Sequence, residues 1–192
     1  MKRDQSTANT LCIIKRLWII TLMVVALASC RPPPPFFYDF ESEASLDRLK
    51  WKCKTIFSLS DEHATSGSRS LQVDFYPEPN NEQENYPGLS ITGFDRNWSK
   101  HQQLVLDIHN PESLPIPLTL RLDDYDNPLA KDRLNRKIIL APGPNHLTIP
   151  LKEMITSGTG RLLELGQINT IFFFLAAPKQ PLTLYFDNIH LE

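Results

Sequence analysis

Three stretches of this chain alternate along the backbone with a period of two. Leu71, Val73 and Phe75 are separated by Gln72 and Asp74, Leu104, Leu106 and Ile108 by Val105 and Asp107, and Leu118, Leu120 and Leu122 by Thr119 and Arg121. Successive side chains of a strand point to opposite faces, so this rhythm builds half-buried strands and does not suit an amphipathic helix. Further strands are expected over Phe36–Glu41, Trp51–Leu59, Gly88–Phe94, Arg136–Leu140, His146–Leu151, Ile168–Ala176 and Leu182–Leu191. Turn residues separate them at Pro77–Asn81, Asn110-Pro111, Asn127-Pro128 and Pro142–Asn145, and the chain holds 16 prolines. About ten short strands at this spacing predict an all-β domain, a two-sheet β-sandwich or jelly roll. Helical turns are expected only at Leu151–Ile155 and Arg161–Leu165.

Two strands carry extra information. Ile171-Phe172-Phe173-Phe174-Leu175 is apolar on both parities, as a central strand covered on both sides would be. In the last strand Leu182, Leu184 and Phe186 share one parity while Ile189 and Leu191 share the other. A bulge near Asp187-Asn188 would keep both sets buried and re-aim Asp187.

The N-terminus reads as a separate device. Lys2, Arg3, Lys15 and Arg16 precede an apolar run from Leu17 to Ala28, the charged-then-apolar order of an export signal. The run falls short of the ~20 residues a membrane-spanning helix needs. Leu27-Ala28-Ser29-Cys30 resembles the lipobox of bacterial lipoproteins, which implies cleavage after residue 29 and lipidation of Cys30. Several acyl chains give stable anchoring. The following Arg31-Pro32-Pro33-Pro34-Pro35 reads as a stiff polyproline spacer over residues 30–35, ahead of a single domain over 36–192. Arg31, rather than Asp, after the lipidated cysteine implies, by the same resemblance, sorting to the outer membrane of the cell envelope.

Beyond residue 29 there remain 16 basic and 21 acidic residues, a charge of about −5. With no Lys/Arg stripe, nucleic acid is not an expected partner. Cys12 leaves with the signal and Cys30 takes the lipid, so Cys53 stands without a disulfide partner and reads as a small buried hydrophobe in the strand Trp51–Leu59. No G-x-S-x-G, H-E-x-x-H or Gly-rich phosphate loop occurs. Asp123 and Asp124 are strand neighbours that point apart, so they cannot jointly flank a glycosidic bond. No enzymatic activity is expected.

Four segments in order resemble galactose-binding-domain-like jelly rolls, the fold of many carbohydrate-binding modules: Phe37-Tyr38-Asp39-Phe40-Glu41, the turn and strand His63 to Val73, the run Leu118 to Leu151, and Leu184-Tyr185-Phe186-Asp187-Asn188-Ile189. The resemblance implies that the first and last strands lie together and hold a structural calcium, with Glu41, Asp187 and Asp39 as carboxylate ligands. It also implies non-catalytic binding of a glycan or polysaccharide on a sheet face. The alternative it leaves open is an envelope protein-binding or assembly module, as in the complex I assembly-factor family of the same fold.

A sugar has apolar C–H faces and a polar rim, so its site needs aromatic and polar side chains together. The outward parity of the strand at Leu118 offers Thr119, Arg121, Asp123 and Tyr125, and the strand at Leu104, read as its neighbour, offers Asp107 and His109. Trp51 and Trp98 are further stacking candidates or core residues. The polar segment Asn80–Tyr86 is expected to be a loop bordering the groove. His63, His101, His146 and His190 lack metal-ligand spacing and read as surface or structural.

Overall fold

The computed structural model describes residues 36–78, 80 and 85–192. The export signal, Cys30 and the proline spacer lie outside the described residues, as does most of the Asn80–Tyr86 loop. Among the described residues no helix is long and apolar enough to cross a membrane.

The alternating segments form the strands β1 (Phe37–Tyr38), β2 (Leu49–Lys52), β3 (Thr55–Ser60), β4 (Ser70–Phe75), β5 (Gly88–Ile91), β6 (Gln103–Asn110), β7 (Ile116–Asp123), β8 (Leu134–Leu140), β9 (Gly143–Pro150), β10 (Thr170–Leu175) and β11 (Leu182–Leu191). All pair antiparallel, in two sheets. The first has the order β3-β4-β11-β6-β9, with β1 also on β11, and the second has the order β2-β5-β10-β7-β8. This is the expected β-sandwich.

The core lies between the sheets, where Leu71, Val73, Phe75, Leu104, Leu106 and Ile108 face Leu118, Leu120, Leu122, Ile171 and Phe173. Each such side chain contributes about 1.5–3 kcal/mol by leaving water. Phe173 and Phe186 meet across the layer with ring centroids 5.4 Å apart. One end is closed by Phe36, Phe94 and Trp98, packed edge-on or tilted. Trp98 is therefore core, and its indole Nε1 donates to the Asp95 carbonyl at 3.0 Å.

The bulge in β11 is present. Pairing with β6 slips between Asp187 and His190, and Asn188 adopts φ +52°, so Ile189 returns to the core. β1 pairs with β11 through Phe37 opposite His190, which brings the first and last strands together.

Three expectations are corrected. The segment Trp51–Leu59 is two strands in different sheets: the chain crosses between them at Cys53, which has φ +55° and is only half-buried. Strands of both sheets are apolar, so the alternation ran on through the crossing and hid it. In place of a helical turn at Arg161–Leu165, Leu162 bridges Ile155 and a 3-10 turn spans Leu165–Gln167. Lastly, β6 and β7 are not neighbours. A hairpin-like succession predicts adjacency, but β6 pairs with β11 and β9 and β7 with β10 and β8, because the connection passes from one sheet to the other.

Candidate functional site

That last correction divides the expected ligand face. Arg121, Asp123 and Thr119 point out of the second sheet, whereas Asp107 and His109 point out of the first, on the opposite side of the sandwich.

On the second sheet the central strand β10 places Phe172 opposite Arg121 and Ser90, and Phe174 opposite Thr119 and Gly88. The two rings stack, with centroids 5.1 Å apart and planes at 17°. Gly88 is required beneath them, since a Cβ there would lie 2.5 Å from the Phe172 ring. Among the described residues these rings are covered by single side chains, Tyr86 packing edge-on against Phe174 at 5.9 Å. The Arg121 guanidinium carbon lies 5.0 Å from the Phe174 centroid and 5.7 Å from that of Phe172, and Lys52 Nζ lies 5.4 Å from the latter. Cation–π attraction of about 0.5–2 kcal/mol per contact holds this roof. Phe172 and Phe174 are left 4% and 5% exposed.

Above this floor two adjoining clefts, of about 370 and 380 Å³, share Lys52, Arg121, Arg133 and Phe172. Asp123, Asp126, Asn127 and Trp51 close one, and Tyr86 and Asn135 the other. Trp51 (67% exposed) and Tyr86 (42%) are the aromatic rings a ligand would meet. Arg121 is positioned by a hydrogen bond from Nε to Asn135 Oδ1 at 2.8 Å, and Arg133 by one from Nε to the Pro128 carbonyl at 3.1 Å. Burial lowers the proton affinity of Arg121, and Arg133 lowers it further.

Asp123 is 7% exposed and its Oδ1 has no hydrogen-bond partner among the described residues. Burial pushes its carboxyl above the usual range against the pull of Arg133 and Arg121. A buried polar atom left unpaired costs about 1–3 kcal/mol, so Oδ1 calls for a donor from water or a ligand in the cleft. Tyr125 lies beyond the end of β7 and does not line these clefts; Arg161 covers its ring at 5.8 Å.

On the opposite face a cleft of about 380 Å³ is lined by His63, Thr65, Asp107, His109, His146 and Tyr185. His63 and His109 stack with centroids 3.5 Å apart and planes at 9°. Asp107 accepts from Asn188 Nδ2 at 3.0 Å and Thr65 Oγ1 at 2.7 Å, and lies 2.7 Å from His146 Nδ1. Burial works against its ionisation, but these partners outweigh it and hold the carboxyl below the usual range.

The carboxylates expected to bind calcium serve a turn instead. Glu41 accepts from the amides of Ser68 (2.8 Å) and Arg69 (2.7 Å), and Asp187 from those of Thr65 (2.6 Å) and Ser66 (2.7 Å). Asp39 accepts only a long contact from the Glu41 amide, at 3.4 Å. Calcium needs six to eight oxygens converging on one point, whereas these oxygens converge on N–H donors. Among the described residues no group of three or more His, Cys, Asp or Glu has metal-binding geometry. These three carboxylates do not by themselves form such a shell.

A larger cleft, about 820 Å³, lies between Trp51, Ile56, Phe57, Tyr76, Pro77 and Pro181. Its lining is mainly apolar, and its one cation, Lys54, is engaged by Glu78 at 2.6 Å. Trp51 borders both this cleft and the one over Phe172.

The sequence points to Arg121, Asp123 and Trp51, and to Tyr86 as the end of a loop bordering the groove, but not to Phe172, Phe174, Lys52 or Arg133. The double apolar parity of β10 was the available signal for the phenylalanines.

No protein-family model matches the chain. It is 30% identical over 168 residues to beta-agarase B of Vibrio sp. (strain JT0107) and 27% identical over 159 residues to chondroitin sulfate ABC exolyase of Proteus vulgaris, covering 80% and 79% of this chain. The chain spans only 17% and 14% of the length of those two relatives. Among solved structures, the family 11 carbohydrate-binding module from Clostridium thermocellum, in complex with a beta-1,3-1,4-mixed-linked tetrasaccharide, is similar with a TM-score of 0.60 and 16% identity, covering 80% of this chain and 92% of that one. The chain thus has the β-jelly-roll fold of carbohydrate-binding modules.

Proposed function

We propose that this domain binds a polysaccharide without cleaving it, in the cleft over β7 and β10, and that lipidation at Cys30 holds it on the cell envelope, at the outer membrane. The observation that carries the reading is the unpartnered Asp123 Oδ1 beside Arg121, in a cleft whose rim offers Trp51 and Tyr86. A carboxylate and a guanidinium pair with sugar hydroxyls, and exposed rings stack on C–H faces. The shared fold with a carbohydrate-binding module supports it. So do the names of both curated relatives, an agarase and a chondroitin sulfate lyase, of which this chain matches only a small part.

Affinity electrophoresis against a panel of neutral and acidic polysaccharides tests the binding. Retention by at least one polymer is expected, reduced at least about tenfold by Arg121→Ala or Tyr86→Ala, the cost of one good contact. Absence of retention by every polymer, or retention indifferent to both changes, sinks the reading and favours a protein partner in the envelope. Release of reducing ends by the purified domain would refute the non-catalytic part. Metabolic labelling with a fatty acid, lost in Cys30→Ala, tests the anchor.

A further inference from the structure

The cleft over Phe172 and Phe174 gathers positive charge on a domain that is otherwise acidic. Lys52, Arg121 and Arg133 line both of its parts, against Asp123 and Asp126 in one of them. Ion pairs elsewhere engage Lys54, Arg69 and Arg161, but among the described residues none of these three cations has a carboxylate within 4.0 Å. In both arginines Nε makes the positioning hydrogen bond, and neither Nη group bonds to a described residue. The two guanidinium groups are close enough for Arg133 to disfavour the charge on Arg121, and Asp123, two residues along β7, offsets only part of that without an ion pair. Like charges brought together beside a buried surface are unfavourable unless an anion joins them.

The floor reinforces the point. Phe172 and Phe174 are roofed by Arg121 and Lys52, so a ligand entering from solvent meets cationic groups before it meets the rings. A neutral sugar stacking on the floor would have to displace that roof. An anionic substituent would bind to it, since a guanidinium presents paired N–H donors that match sulfate or carboxylate oxygens.

We infer that the polysaccharide held in this cleft is acidic, and that Lys52, Arg121 and Arg133 receive its sulfate or carboxylate groups. This rests on the glycan-binding reading above and narrows it. Asp123, beside Arg121 in the same cleft, then selects a hydroxyl donor and disfavours an anion at its own position.

The test measures retention of the domain by four polymers: agarose, mixed-linked β-glucan, a sulfated galactan and polygalacturonate. The expected result is at least about tenfold tighter retention by an acidic polymer than by either neutral one, weakened by salt. The sulfated galactan and polygalacturonate arms tell sulfate from carboxylate recognition. Lys52→Gln with Arg133→Gln should remove at least about tenfold of that affinity, whereas Lys152→Gln, an exposed cation in the 3-10 turn after β9 that does not line the clefts, should leave it unchanged. Unchanged melting temperatures establish that the variants are folded, and Arg133→Lys, which keeps charge without the planar fork, should recover part of the loss.

Equal or tighter retention by agarose or β-glucan overturns the inference while leaving the glycan reading intact. A loss in Lys152→Gln as large as in the double variant also overturns it, since binding would then follow net charge alone. Retention by none of the four overturns both.

Discussion

Asp123 and Asp124 are chain neighbours that the sandwich sends to opposite fates. Asp123 opens onto the cleft with Oδ1 unpartnered, while Asp124, 1% exposed, is gripped at both oxygens by Arg161, with Nη2 to Oδ1 at 2.9 Å, and accepts the Glu164 amide at 2.8 Å. Burial resists ionisation of Asp124, but Arg161 and the Glu164 amide prevail and hold its carboxyl below the usual range. Removing one partner of a buried pair strands the other, so Asp124→Ala should cost about 3 kcal/mol in urea unfolding. Asp123→Asn should leave stability unchanged or raised by up to about 1 kcal/mol at neutral pH, while weakening glycan retention. A loss of stability in Asp123→Asn as large as in Asp124→Ala would mean that Asp123 is structural.

The turn joining β3 to β4 depends on Gly67. It has φ +67°, and a Cβ there would lie 2.4 Å from Glu41 Cδ, so Gly67→Ala meets both backbone strain and the carboxylate that holds the turn. A loss of about 1–3 kcal/mol is expected in thermal or urea unfolding.

Because Glu41 and Asp187 accept backbone amides, millimolar calcium or a chelator should leave the melting temperature within about 1 °C. A shift corresponding to about 1 kcal/mol, several degrees for a domain of this size, would show that the turn rearranges around an ion.

Acid should weaken the fold through the imidazole stack. Burial lowers the pKa of His109 and the neighbouring His63 lowers it further. The unfolded chain therefore binds the proton more readily, so stability is full above the ordinary histidine range near 6.5 and falls as pH drops through the lowered value. Asp107, also held down, extends the loss in the same direction below the ordinary carboxylate range. Melting temperatures measured between pH 8 and 4.5 should decline on the acid side, and His109→Phe, which keeps the stacked ring, should flatten the upper part of that decline.

Trp51 should report binding. It is exposed at the cleft, whereas Trp98 is sealed in the core beside Phe36. Ligand titration should change the fluorescence of the intact domain, and Trp51→Phe should abolish the change. A signal that survives this substitution would place the ligand elsewhere.

The sandwich was legible because period-two alternation states which side chains enter a core, and the parity switch at Asp187-Asn188 revealed the bulge of β11. The clefts were less legible. Arg121 and Asp123 stood out by parity on a recognisable strand, but Phe172 and Phe174 looked like ordinary core, and nothing local marks Arg133. Asp107 and His109 carry the same outward parity as Arg121, and parity is silent on which sheet a strand joins.

By itself the sequence determined the all-β class, the strand positions to within a few residues and the inward face of each strand, since these follow from local alternation and turn chemistry. Only the tertiary structure decided the pairing of strands. That pairing separates Asp107 from Arg121, crosses the chain between sheets at Cys53, and draws Lys52, Arg121 and Arg133 onto one aromatic floor. The physical reason is that each strand's pattern says how deeply its faces are buried, whereas its neighbour is chosen by long-range packing and hydrogen bonding among residues far apart in the chain.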